Sequence, residues 1–151
     1  MELKGSHTLR APRERVWEYL NTPEILQACV PGCESFNAGE AQDEYAAVVV
    51  AAIGPVKARF KGTLSIADKR APQGYRIIGQ GDGGIASFGK MVADVELAED
   101  GEGTVLTYVA QAQVGGKLAQ IGARLVGSVA NKMAAQFFER FSVKVEEKVA
   151  P

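Results

Sequence analysis

His7 is the only histidine of the chain, and Cys29 and Cys33 are its only cysteines. Acid–base or nucleophilic chemistry centred on His7 would need a partnered nucleophile, and no Gly-x-Ser-x-Gly elbow occurs in the sequence. The thiols lie in Ala28-Cys29-Val30-Pro31-Gly32-Cys33. Two sulfurs and one distant imidazole are too few for a structural zinc site, and a disulfide is disfavoured in a reducing compartment. They read as two partly buried thiols flanking a Pro-Gly turn, with a redox or metal role as the alternative. Gly115-Gly116-Lys117 lacks the spaced glycines and following Ser/Thr of a phosphate loop. Gly81-Asp82-Gly83-Gly84 falls between two strand-like runs, without the helix N-terminus that phosphate needs, and reads as a tight turn.

His7 shares its strand parity with Leu3 and Leu9, which aims the imidazole inward. There it is either a hydrogen-bonded core residue or a polar handle at one end of an apolar pocket. Met91 and Met133 carry a similar choice between flexible core filler and ligand contact. Asp94 and Glu96 have the parity opposite to Met91, Ala93, Val95 and Leu97, so they point away from any such pocket.

The elements that must position these residues follow from periodicity. Glu2 to Arg10 alternates as a strand, and Ala11-Pro12 ends it. Pro12 suits the first turn of a helix carrying Val16, Trp17, Tyr19 and Leu20. Thr22 is the expected N-cap of a second short helix that begins at Pro23 and stops at Pro31-Gly32. From Cys33 to Val114 the period is two. The expected strands include Glu44 to Ile53, Val56 to Ile66, Tyr75 to Gly81, Ile85 to Leu97 and Thr104 to Val114. Gly115-Gly116 then opens a proline-free helical run of about thirty residues, roughly 45 Å at ~1.5 Å per residue. Lys117, Gln120, Arg124, Ser128 and Asn131 form its polar strip. The class is α+β, with an antiparallel sheet curled around the long helix.

With 151 residues, 46% apolar and 23% charged, the chain is sized for one soluble domain with a sizeable core. A formal net charge of −1 and the lack of a basic stripe argue against nucleic acid as a partner. No apolar stretch approaches the ~18 residues of a membrane span, and Met-Glu-Leu-Lys-Gly is not a signal peptide. A cytoplasmic location is expected.

Small residues recur on the inferred inner faces of the strands, among them Ala47, Ala58, Gly62, Gly79, Gly81 and Ala93. The facing helix is small too, at Ala119, Gly122, Ala123, Gly127, Ala130 and Ala134. A core at native density sets large residues opposite small ones. Small facing small predicts an apolar cavity, with Phe60, Ile77, Phe88, Met91 and Tyr108 as the bulky exceptions on the sheet.

Several segments together carry a family resemblance. The N-terminal lead-in and first helix, Ala11-Pro12-Arg13-Glu14-Arg15-Val16-Trp17 followed by Asn21-Thr22-Pro23-Glu24, resembles the START-like (SRPBCC, helix-grip) superfamily. Ala28 to Ser35, Gly54-Pro55-Val56-Lys57 with Phe60-Lys61-Gly62, Gln113 to Gln120, and Phe137 to Phe141 are similar to the CoxG family of carbon monoxide dehydrogenase subunits. The resemblance spans nearly the whole chain. It implies a seven-stranded antiparallel sheet wrapped around the C-terminal helix, two short helices after the first strand, and one START-like domain over 1–151.

It also implies a non-enzymatic protein that holds a menaquinone- or ubiquinone-type lipid, has no covalently bound cofactor, and recruits a molybdenum-containing CO-dehydrogenase- or xanthine-dehydrogenase-like enzyme to the membrane. The cavity residues expected on this reading are His7, Phe60, Ile77, Phe88, Met91 and Tyr108 from the strands. Leu118, Gly122, Leu125, Val129 and Met133 are expected from the helix. No catalytic residue and no metal ligand is implied. Relatives often continue into a hydrophobic tail. This sequence stops at Pro151, so the expected membrane contact is peripheral, at the inner face. His7 stands where an apolar or aromatic residue is the family expectation. The alternatives are a cyclase- or hydrolase-like enzyme acting on a lipophilic substrate, with His7 its one inward acid–base group, and an unliganded assembly adaptor.

Overall fold

Alternation of exposed and covered residues carries the chain through β1 (Glu2–Leu9). Pro12 ends it in an extended conformation at the N-cap of α1 (Arg13–Leu20), where its carbonyl accepts from the amides of Arg15 and Val16. Thr22 occupies the N-cap of α2 (Pro23–Cys29), but its hydroxyl donates to the Glu18 carbonyl at 2.8 Å and does not cap the helix. The structure, a computed structural model, describes residues 1–147; positions 148–151 of the expected domain, Pro151 included, lie outside the described residues.

Six strands follow: β2 (Cys33–Ala38), β3 (Glu44–Ile53), β4 (Val56–Arg70), β5 (Gly74–Asp82), β6 (Gly89–Asp100) and β7 (Gly103–Gln113). They form one antiparallel sheet in the order β1-β7-β6-β5-β4-β3-β2. The strand expected from Ile85 starts only at Gly89, because Gly84–Ala86 turns as a short 3-10 segment and Gly89 has a positive φ of 94°.

The long C-terminal helix is interrupted. α3 (Gly116–Ile121) and α4 (Ala123–Glu146) are separated at Gly122, whose φ of 104° and ψ of 148° are inaccessible to a helix. Periodicity continued through this position; the glycine backbone did not.

Two apolar clusters hold α4 to the sheet. The larger gathers Leu9, Val16, Cys29, Leu106, Phe141 and Val145 with α1 and α2 around the C-terminal half of α4. The smaller joins Ile53, Leu118 and Val126, flanked by Phe60, Ile121 and Val129, at the α3 end. The outer face of the sheet is charged. Arg76 pairs with Asp94 at 2.9 Å and Arg70 with Glu96 at 2.8 Å, which confirms the outward parity of both carboxylates.

Candidate functional site

Strand parity decides which side chains meet α4. On β5, Tyr75 and Ile77 face inward, opposite Val95 and Ala93 of β6. On β7, Leu106, Tyr108 and Ala110 do the same. Leu64 and Ile66 of β4 continue the floor. Ala130, Met133, Ala134, Phe137 and Phe138 of α4 form the roof. Leu20, Leu26 and Val30, from α1, α2 and the turn after it, close one end with Phe36 and Tyr45. Between them lies a cavity of about 410 Å³, within the ~300–1,000 Å³ range of small-molecule sites.

Aromatic rings, not empty space, lie across several of the glycines. Tyr108 covers Gly5, where a Cβ would sit 2.8 Å from its hydroxyl. Phe60 covers Gly83 at 2.6 Å, and the Phe88 ring occupies the space over Gly81. Each of these glycines makes room for an aromatic ring from another part of the chain. The void survives where Ala93 and Ala110 face Ala130 and Ala134.

Among the described residues no carboxylate, ammonium, guanidinium or imidazole lines the cavity; its polar side chains are Asn21, Tyr45, Tyr75, Tyr108 and Asn131. Asn21 Nδ2 already donates to the Trp17 carbonyl at 2.8 Å. Asn131, assigned from periodicity to the polar strip, is exposed yet borders the cavity, so the cavity reaches solvent beside it. Burial raises the pKa of both Tyr75 and Tyr108, which keeps these phenols protonated.

Of the residues expected at the cavity, Ile77, Met91, Tyr108 and Met133 are brought together there. His7 stands one layer back. Its ring stacks on Phe138 with centroids 4.0 Å apart, and Phe138 in turn lines the cavity. Desolvation lowers its pKa, so the imidazole is neutral at pH 7. Phe60, Leu118 and Val129 belong to the smaller cluster. Phe88 lies over Gly81. Leu125 is 40% exposed against the Gly54 turn, and a side chain at Gly122 would meet nothing within 4 Å. Phe60, Phe88, Leu118, Gly122, Leu125 and Val129 thus lie outside the lining, because parity and helical period give the direction of a side chain but not where along α4 the space opens.

Tyr75, Val95 and Leu106 were legible by extending the parity of Ile77, Met91 and Tyr108. Leu20, Leu26 and Val30 carried no such signal, since only the tertiary fold brings the short helices over the cavity. Cys29 is buried and Cys33 half-buried, both as free thiols, and Cys33 Sγ donates to the Ser35 carbonyl. Among the described residues no cluster of His, Cys, Asp and Glu is arranged to hold a metal. No described helix is long and apolar enough to cross a membrane.

The sequence matches the family described as CoxG, of carbon monoxide dehydrogenase subunits, over residues 5–146. No curated protein matches the chain. A conserved protein from Geobacillus kaustophilus is 31% identical, with a TM-score of 0.90 over 97% of this chain and 95% of that one. A START superfamily protein from Mycobacterium smegmatis shares the fold at 12% identity, with a TM-score of 0.73 and 96% and 97% coverage. The ZhuI aromatase/cyclase from Streptomyces sp. R1128 does so at 14% identity, with a TM-score of 0.69 and 97% and 93% coverage. The helix-grip architecture expected from the sequence is thus the observed one.

Proposed function

The chain belongs to the CoxG family of carbon monoxide dehydrogenase subunits, and from that premise we propose that it is a non-enzymatic carrier of a lipophilic ligand. The observation that carries the reading is the cavity of about 410 Å³ beneath α4, lined mainly by aliphatic and aromatic side chains, with no charged group among the described lining residues. Burying apolar ligand surface there is favourable by roughly 25 cal/mol per Å². A menaquinone- or ubiquinone-type head with the first part of its chain suits the space, and the rest of a long chain would leave beside Asn131. A hydrolase- or cyclase-like role finds no carboxylate or imidazole among the described lining residues, because His7 sits behind Phe138.

The family description supports a CO-dehydrogenase- or related molybdenum-hydroxylase-type enzyme as the docking partner, which the carrier would bring to the respiratory membrane from the cytoplasmic side. The α3 end of the molecule supports a peripheral membrane contact. Ile85 is 73% exposed and Leu125 40% exposed there, with Lys57, Lys117 and Arg124 exposed on the adjoining segments. Such a surface suits an anionic leaflet.

Native mass spectrometry of the protein purified from its own host, with organic extraction of what it retains, tests the carrier reading. A stoichiometric lipophilic mass with a quinone spectrum is the expected result. Empty protein that also fails to take up added decylubiquinone would leave an assembly adaptor.

A further inference from the structure

The phenols that line the cavity make no hydrogen bond to any described residue, and Tyr75 is the most deeply buried of them. Tyr75 is only 4% exposed and lines the cavity. Its ring is fixed by Trp17, edge-on at 5.4 Å. Its hydroxyl makes no hydrogen bond to any described residue, and burial, with no hydrogen bond, is the main cause that raises its pKa. Arg13 Nε is the only enclosed side-chain nitrogen or oxygen without a partner among the described residues, so the Tyr75 oxygen is not sealed in protein. It borders the open space of the cavity. A buried phenol without a partner costs stability unless something accepts its proton.

We propose that Tyr75 is the headgroup-recognition residue of the cavity, donating its hydroxyl proton to a neutral acceptor oxygen, such as a carbonyl, on an otherwise apolar ligand. This assignment rests on the carrier reading and narrows its ligand class. The donor is protonated at every physiological pH and has no charge to offer. With no Lys, Arg or His among the described lining residues, a carboxylate head would be desolvated without a counter-ion. The cavity therefore selects neutral lipids bearing an acceptor oxygen over fatty acids, and over hydrocarbons that leave the phenol unpaired. Tyr45, which closes the adjoining end of the cavity, places a second phenol near Tyr75. The head is oriented toward α1 and α2, and the chain toward Asn131.

Trp17 is the only tryptophan and touches Tyr75, so its fluorescence reports occupancy. Decylubiquinone, decylbenzene and dodecanoate are titrated into the wild type and Tyr75→Phe, with calorimetry alongside. The variant keeps the ring and its contact with Trp17. Decylubiquinone affinity is expected to fall about tenfold in Tyr75→Phe, the effect of one lost neutral hydrogen bond, while decylbenzene is unaffected. Dodecanoate is expected to bind both proteins far more weakly than the quinone. Equal quinone affinity in the two proteins overturns the assignment but leaves the carrier intact, as does dodecanoate binding as tightly as decylubiquinone. A wild type that takes up none of the probes overturns the carrier reading and this one with it. Should Tyr75→Phe not fold, the wild type's preference for decylubiquinone over decylbenzene decides the point, and the absence of any preference overturns it.

Discussion

Beneath the C-terminal half of α4, large side chains from four layers meet: Phe141 and Val145 of the helix, Leu9 and Leu106 of the sheet, Val16 of α1 and Cys29 of α2. Beneath its N-terminal half only Ile53, Leu118 and Val126 are buried together, next to the backbone break at Gly122 and the exposed Leu125. The cavity belongs to the first region, not the second. It shares Leu20, Tyr75, Val95 and Leu106 with the larger cluster and no buried residue with the smaller one. A void is tolerated where dense packing on its far side holds the helix in place, whereas a loosely held end could not keep a cavity open. The same molecule thus has one end built to enclose and one end built to yield.

The comparison is broken most directly by truncating its anchors. Phe141 is fully buried, and Phe141→Ala should lower stability by about 3–5 kcal/mol in urea denaturation. Leu118→Ala, in the smaller cluster, should cost less, near the lower end of ~2–5 kcal/mol. Equal costs would mean that the two ends are equally anchored. Filling the void comes next. Ala134→Phe places a ring from the roof into the cavity and should weaken decylubiquinone about 100-fold, or ~2.7 kcal/mol. Its stability should change by no more than ~1–3 kcal/mol. Unchanged quinone affinity in the folded variant would remove the cavity as the binding site.

Gly122→Leu sharpens the contrast from the other end. The added side chain meets open space, but the positive φ strains any residue other than glycine. A stability loss of ~1–3 kcal/mol with ligand affinity unaltered is expected. Lost binding in this variant would show that the two ends communicate.

The smallest effect concerns His7. Burial lowers its pKa from the ordinary 6.5, so the unfolded chain binds the proton more readily than the native one. The contribution of the neutral ring is fully present above about pH 6.5 and is lost as pH falls through the lowered native value. The drop in thermal stability from about pH 7.5 to about pH 5 should therefore be shallower in His7→Phe than in the wild type. Parallel pH profiles would show that the imidazole titrates alike in both states.

Alternation from Val56 onward and Pro12 and Pro23 as helix starts were readable because each acts through its own segment's backbone. The cavity was readable only as a surplus of small residues, for which alanines and glycines had different fates. Ala93, Ala110, Ala130 and Ala134 leave space, while Gly5, Gly81 and Gly83 are roofed by rings from elsewhere in the sequence. Nothing local to Gly81 says that Phe88 will cover it. Likewise the phase of α4 could not be read through Gly122, because a glycine fits a helical pattern and a helix break equally well.

The order of the elements, the inward parity of Ile77, Met91 and Tyr108, and the family follow from the amino-acid sequence alone, since they rest on local periodicity and on short motifs. It takes the folded molecule to bring α2 over the sheet, to set His7 behind Phe138, and to enclose Tyr75 at the cavity with no hydrogen-bond partner among the described residues. Those outcomes depend on how side chains distant in sequence compete for the same volume, and that competition is settled only when the sheet and α4 close on each other.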